Sequence, residues 1–212
     1  MTVTRFCFIR HGETAWNTQR RLQGQLDIGL NENGEGQARA VGRWLARRGG
    51  IDVIHSSDLS RAWRTAGHVG MALGLTPLPA PGLRERRYGV FEGLTYTEAR
   101  EWHPEHYARL EAREPDFVIP DGESLRQFHD RVTAGLEALL ERHRGQTLVV
   151  VVHGGVLDII NRFVRGNSLS APRDFLIPNT GLNWVVQDRD GWHIEAWGET
   201  PHLEAGALDE LR

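Results

Sequence analysis

Two histidines occupy matching places in this sequence. His11 follows the apolar run Val3 to Ile9 and Arg10, and precedes Gly12; His153 follows the run Leu148 to Val152 and precedes Gly154. Apolar runs rich in β-formers and closed by glycine read as buried strands. In open α/β sheets, ligands bind beyond the carboxyl ends of such strands, so both imidazoles are candidates for one crevice. Arg10 adjoins the first histidine, and a helix opening near Ser60-Arg61 brings a second guanidinium to the same end. Guanidinium forks match phosphate oxygens bidentately, so this set suits a dianionic phosphoryl group. Taken singly, each histidine reads more simply as a strand-end residue bonded to backbone; the repeated context argues for a site.

The elements that must position these residues follow from periodicity. The turn chemistry of Asn31 to Gly34 precedes helical spacing from Glu35 to Arg48, closed by Gly49-Gly50. A short strand is predicted over Ile51 to Ile54, then a helix over Leu59 to Leu73. Leu83 to Gly93 has no clean period and reads as an ordered loop. Residues from about 94 to 128 read as a mostly helical cap, with Trp102 placed over the site. A long helix is predicted from Ser124 to His143, because Leu125, Phe128, Val132, Leu136 and Leu139 repeat at three and four. A further helix runs from His153 to about Val164, and Leu182 to Trp197 reads as a β-hairpin turning at Asp190-Gly191. Strands that alternate with helices, and that are continuously apolar, imply an α/β fold: a doubly wound, mostly parallel sheet with helices on both faces.

Composition narrows the function classes. With 212 residues the chain is read as one domain, residues 1–212, able to bury around 70% of its unfolded surface without a disulfide or metal staple. The single Cys7 lies in an apolar run, which points to a reduced, cytoplasmic setting. No membrane span or secretory leader is read. All 25 basic residues are arginine, and 28 acids outnumber them, so nothing draws the molecule to nucleic acid. Without lysine, neither a Schiff base nor a P-loop is available. His103 and His106, with Pro104 between them, lack the further ligands of a metal site.

The stretch Phe8-Ile9-Arg10-His11-Gly12-Glu13-Thr14-Ala15-Trp16-Asn17 resembles the signature of the histidine phosphatase superfamily, which includes the cofactor-dependent phosphoglycerate mutases. Further blocks follow in the family's order: Gln23 to Asp27, Leu30 to Gly34, Ser56 to Ala62, Leu83 to Glu85, Tyr88-Gly89, Phe91 to Gly93, Gly122 to Ser124, and Val151 to Gly155. The resemblance implies that His11 is a nucleophile that becomes phosphohistidine. It implies that Arg10, Arg61 and a protonated His153 hold the phosphoryl oxygens, that Asn17 is a further phosphate contact, and that Glu85 is the proton donor. Gln23, Gly24, Tyr88 and Gly154 are further candidate substrate contacts; neither a metal nor another cofactor is implied. Glu13 either orients the site or is solvated near a turn. Arg84, Arg86 and Arg87 either recognise a second anionic group or lie on solvated surface.

The short stretch between Glu85 and His153, with Phe91-Glu92-Gly93 and Pro120 to Ser124, resembles the compact phosphatases of the family. Glu85-Arg86-Arg87-Tyr88-Gly89 instead resembles the mutase loop. The expectation is a phosphomonoesterase for small phosphorylated metabolites. A phosphoglycerate mutase, which would need a bisphosphorylated activator, is the alternative, and a non-catalytic phospho-ligand module is the second. The cap, Gln23 and the segment around Ser168 to Asn179 are expected to decide the substrate. The Leu182–Trp197 hairpin offers an edge for a homodimer, an idea that a monomeric hydrodynamic mass at every concentration would remove.

Overall fold

The computed structural model describes residues 2–203. Six strands form one sheet in the order β3-β2-β4-β1-β5-β6. β1 (Thr4–Arg10) and β4 (Thr147–Val152) lie at its centre and pair in parallel, with Arg10 opposite Val152. β2 (Val53–Ser56) adds in parallel to β4, and the two-residue β3 (Leu78–Pro79) to β2. β5 (Leu182–Asp188) runs antiparallel against β1 and forms a hairpin with β6 (Gly191–Glu199). The register places the ends of β1 and β4 side by side, which brings His11 and His153 together.

Successive side chains on a strand point to opposite faces, and here both faces are covered. Phe6, Phe8, Leu148, Val150 and Val152 pack with Val132 and Leu136 of α6 (Leu125–Arg142) and Val156 and Ile160 of α7 (Gly154–Arg165). Cys7, Ile9, Val149 and Val151 pack with Val41 and Leu45 of α2 (Glu32–Arg48) and Ala62, Ala66 and Val69 of α3 (Ser60–Leu73). Burial on both faces explains why these strands read as continuous apolar runs. A buried valine or phenylalanine contributes about 1.5–3 kcal/mol by transfer, so the two central strands carry much of the fold's stability.

A third apolar cluster, Leu22, Phe91, Ala99, Tyr107, Phe117 and Ile119, sits apart and forms the cap's own core. The cap holds α4 (Tyr96–Trp102) and α5 (Pro104–Glu111). His103 ends the first helix and Pro104, which needs no N–H partner, opens the second. Residues 112–124 are turns and coil, passing Pro115, Pro120 and Gly122, up to Ser124, whose side chain caps α6. Some expectations shift at their edges. The second strand begins two residues later than expected and includes His55 and Ser56, since its ladder with Val150 and Val151 outweighs local polarity. A single turn, α1 (Ala15–Thr18), follows the first histidine, closed by a Thr14–Asn17 capping box.

Candidate active site

The carboxyl end of β1 delivers Arg10 and His11 into the interior, where they are 1% and 3% exposed. Their backbone is tied down from the far side of the chain: Thr180 N–H donates to the Arg10 carbonyl at 3.0 Å, and Asn179 Nδ2 to that of His11 at 2.9 Å. Gly12 follows where the chain must pass close to α2, since a Cβ there would lie 2.5 Å from the Gly34 carbonyl oxygen. Its N–H donates to Thr65 Oγ1 of α3 at 3.0 Å.

His11 Nδ1 lies 2.7 Å from the Gly12 carbonyl oxygen. A carbonyl only accepts, so Nδ1 carries the ring proton and Nε2 keeps its lone pair. Burial, then the charges of Arg61 and Arg10, hold this imidazole well below the usual histidine range, so it is neutral at pH 7. The nucleophilic form is therefore the resting form.

Arg61, in the first turn of α3, is fully buried and donates to the carbonyls of Gly24 at 2.7 Å and Leu26 at 2.9 Å. Arg10 Nη1 donates to Ile177 O at 2.7 Å. Gly24 has φ +52°, and a Cβ there would run into the Glu92 carboxylate, which in turn accepts from the N–H groups of Gln25 and Tyr88 at 3.0 Å. Only glycine suits that turn.

His153 caps the amino end of α7, its ring centroid 5.3 Å from that of His11. Its Nε2 is 2.7 Å from Ser57 Oγ, a residue at the end of β2. Against the expectation of a protonated His153, burial, followed by the charges of Arg61, His11 and Arg10, holds this imidazole well below the usual histidine range.

Glu85 comes from the loop after β3. Arg86 N–H donates to its Oε1 at 2.7 Å and Gly155 N–H, at the start of α7, to its Oε2 at 2.9 Å. Leu83, 1% exposed, anchors this loop in the α6–α7 core. Arg131 of α6 donates to the carbonyls of Gly82 and Arg84 at 2.9 Å and of Glu85 at 3.2 Å, so one helix residue holds the whole acid loop.

These groups surround a cavity of about 760 Å³, counting its open mouth. The candidate residues Arg10, His11, Gln23, Gly24, Arg61, Glu85, Tyr88 and Gly154 all line it. Two further candidates, Asn17 and His153, are not among the lining residues: His153 lies behind Gly154, and the Asn17 side-chain oxygen accepts from the Thr14 N–H and hydroxyl at 3.0 and 3.1 Å, capping α1. Trp102 is 64% exposed and lines no wall. Glu13 is buried and accepts from Asn31 Nδ2 at 2.8 Å, securing the amino end of α2. His103 meets Phe91 edge-on and His106 stacks on Phe117 in the cap core.

A family model described as the histidine phosphatase superfamily (branch 1) matches residues 6–200. The chain belongs to the histidine phosphatase superfamily. This histidine phosphatase is 39% identical over 199 residues to phosphoglycerate mutase-like protein 4 of Arabidopsis thaliana, covering 92% of the chain and 85% of that protein. It is 36% identical over 205 residues to the metal-independent phosphoserine phosphatase of the same plant, covering 96% and 84%. A mutant phosphoserine phosphatase from Entamoeba histolytica, solved with phosphoserine, superposes with a TM-score of 0.84 at 27% identity, covering 94% of this chain and 99% of that one.

Sequence reasoning missed the supports of this histidine phosphatase site, and part of its wall. Ser57, Thr65 and Asn179 each hold the site through a hydrogen bond, and Arg131 holds the acid loop through three, contacts that leave no pattern in a sequence. Arg21, Arg113, Asp158 and Arg173 line the cavity as well, from segments far apart in the chain. Of the arginines flanking Glu85, Arg84 pairs with Asp58 and Arg87 donates to Asp121 O, while Arg86 alone turns into the cavity.

Proposed function

We propose that this chain is a metal-independent phosphomonoesterase that hydrolyses small phosphorylated metabolites through a phosphohistidine at His11 Nε2. As a member of the histidine phosphatase superfamily with phosphatase-named relatives, it is a phosphoric monoester hydrolase. One observation carries the mechanism: a buried, neutral His11 whose Nδ1 is pinned by Gly12 O and which sits between Arg10 and Arg61.

In the proposed sequence, Nε2 attacks phosphorus as the ester oxygen departs in line. Arg10 and Arg61 hold the equatorial oxygens, with His153 as a neutral partner that gains a proton more readily once a dianion lies beside it. Glu85 gives its proton to the departing alkoxide, and then accepts one from the water that cleaves the N–P bond. The guanidinium groups supply the positive charge, so the reading needs no metal ion. The molecule acts as a single domain with its own cap, and the lone buried Cys7 supports a cytoplasmic setting.

The test is phosphate release from a panel of phosphomonoesters in EDTA, comparing the unmodified chain with His11→Ala. Release that survives EDTA and is lost in the variant supports the proposal. Release that persists in His11→Ala overturns it. No release, together with phosphoryl transfer on 3-phosphoglycerate given a bisphosphorylated activator, replaces it with a mutase. No release and no transfer leaves a binding module.

A further inference from the structure

The segment Ile177 to Thr180, which leads into β5, touches the end of β1 at three points. The Ile177 carbonyl accepts from Arg10 Nη1 at 2.7 Å, Thr180 N–H donates to the Arg10 carbonyl at 3.0 Å, and Asn179 Nδ2 to the His11 carbonyl at 2.9 Å. Those two carbonyls belong to the peptides on either side of the His11 Cα. Peptides are planar, so fixing both planes fixes the direction in which the His11 side chain leaves the backbone. This short strap therefore sets the Arg10 guanidinium and the aim of the His11 imidazole together. Thr180 is fully buried and has φ +53°. A β-branched residue adopts that left-handed conformation only where its surroundings hold it.

The hold comes from beyond the hairpin. Thr180 Oγ1 lies 3.0 Å from His202 Nε2. A hydroxyl both gives and accepts, so the bond forms with either tautomer of His202. Burial pushes His202 down to about 4, so it is uncharged at pH 7 and acts on Thr180 by hydrogen bonding. His202 stands in the turn after β6, where Leu203 N–H donates to the Thr200 carbonyl at 3.1 Å with Pro201 between them. β6 braces the strap at two further points: Trp197 Nε1 donates to the Leu176 carbonyl at 3.0 Å, and Gly198 N–H to Asn183 Oδ1 at 2.9 Å. Asn183 Nδ2 in turn donates to the Phe8 and Gly181 carbonyls, both at 3.1 Å. Neither Thr180 nor His202 lines the cavity.

We propose that Thr180 and His202 are positioning residues for His11: the bond between them holds the strap in the shape that aims the nucleophile, so a turn outside the cavity sets the rate. This inference rests on the phosphatase reading above. Thr180→Val is nearly isosteric and equally β-branched, so it removes the hydroxyl alone; His202→Leu removes its partner. With p-nitrophenyl phosphate each lowers kcat by ~10-fold or more while KM changes little, because a misaimed nucleophile loses geometry rather than binding. Thr180→Ser, which keeps the hydroxyl, stays near the unmodified rate. The double variant is no slower than the slower single one, since both act through one bond. An unchanged kcat in both folded single variants, or losses that multiply in the double variant, overturns the proposal. Where Thr180→Val does not fold, His202→Leu is compared with His202→Gln, which keeps an amide donor: activity regained in the second supports the brace, and equal loss ends it. If the unmodified chain releases no phosphate, the phosphatase reading fails, and NMR of the histidine rings decides the strap separately. His11 ring signals displaced by Thr180→Val, with those of His55 and His143 in place, support it; unmoved His11 signals end it.

Discussion

His11 has one ring nitrogen committed to a backbone carbonyl and one facing the phosphoryl end of the cavity, and its neutrality is set by burial and two arginines. That has a consequence for pH. A histidine with ordinary pKa near 6.5 would lose nucleophilicity as the pH falls through that value. Here the depressed value keeps the imidazole neutral well below it. The expected kcat, measured at saturating ester, stays level as the pH falls from about 7.5 through 6.5, with its acid limb lower still. A single protonation near 6.5 that abolishes turnover would mean that the arginines and burial do not control this group.

At the scale of elements, the site depends on side chains of one element lying close against the backbone of another. A Cβ on Gly155, at the start of α7, would lie 2.3 Å from Glu85 Oε1 and 3.1 Å from the Phe128 ring. Gly155→Ala must displace the proton donor while the two central strands keep their packing. We expect kcat to fall at least ~10-fold while stability drops by only about 1–3 kcal/mol, as for modest overpacking; parallel kinetics and urea melts check both. A second contact joins β2 to the carboxyl end of α6: His55 Nε2 is 2.9 Å from His143 Nε2, whose ring bonds Gln146 through Nδ1. Burial, then His143 and Arg142, push His55 down to about 4. The unfolded chain takes up this proton near 6.5 while the native chain refuses it until about 4, so the unfolded state binds more protons between those values. Stability from this pair is present above pH 6.5 and is lost progressively toward pH 4. His55→Phe should therefore shrink the drop in Tm between about pH 7.5 and 5, read by thermal melts. An equal drop in the variant would assign the acid sensitivity elsewhere, His11 and His153 being groups of the same sign.

For the whole molecule, net charge misleads. The chain carries a formal −3, yet six arginines line its cavity against two carboxylates, Glu85 and Asp158. A concave wall focuses that local field, so an anionic ester is drawn in by a protein of the same overall sign. kcat/KM for a phosphomonoester should fall steadily as salt rises from about 0.01 to 0.5 M, with kcat little changed, because the Debye length contracts from roughly 30 Å to a few ångströms. A salt-independent kcat/KM would show that capture is purely local. The cap contributes to this field through Arg113 while keeping a core of its own, so part of the cavity wall is built separately from the sheet that carries His11.

Much of the fold and half of the site could be read from the chain alone, because both rest on local pattern. Continuous apolar runs ended by His11-Gly12 and His153-Gly154 describe strands buried on two faces, and a strand's end is where an α/β sheet binds ligands. Arg10, Arg61 and Glu85 followed from ordered motifs around them. Tertiary structure decided what depends on distance. Asn17 was turned to capping α1 by a hydroxyl three residues away, and Trp102 was left on the outside of α4. His153 was made neutral by groups contributed from other strands and helices. Arg86, Arg113 and Asp158 were gathered into one wall from three segments. Protonation, and the direction in which a buried side chain points, are set by neighbours in space, and long-range neighbours leave no period in a sequence.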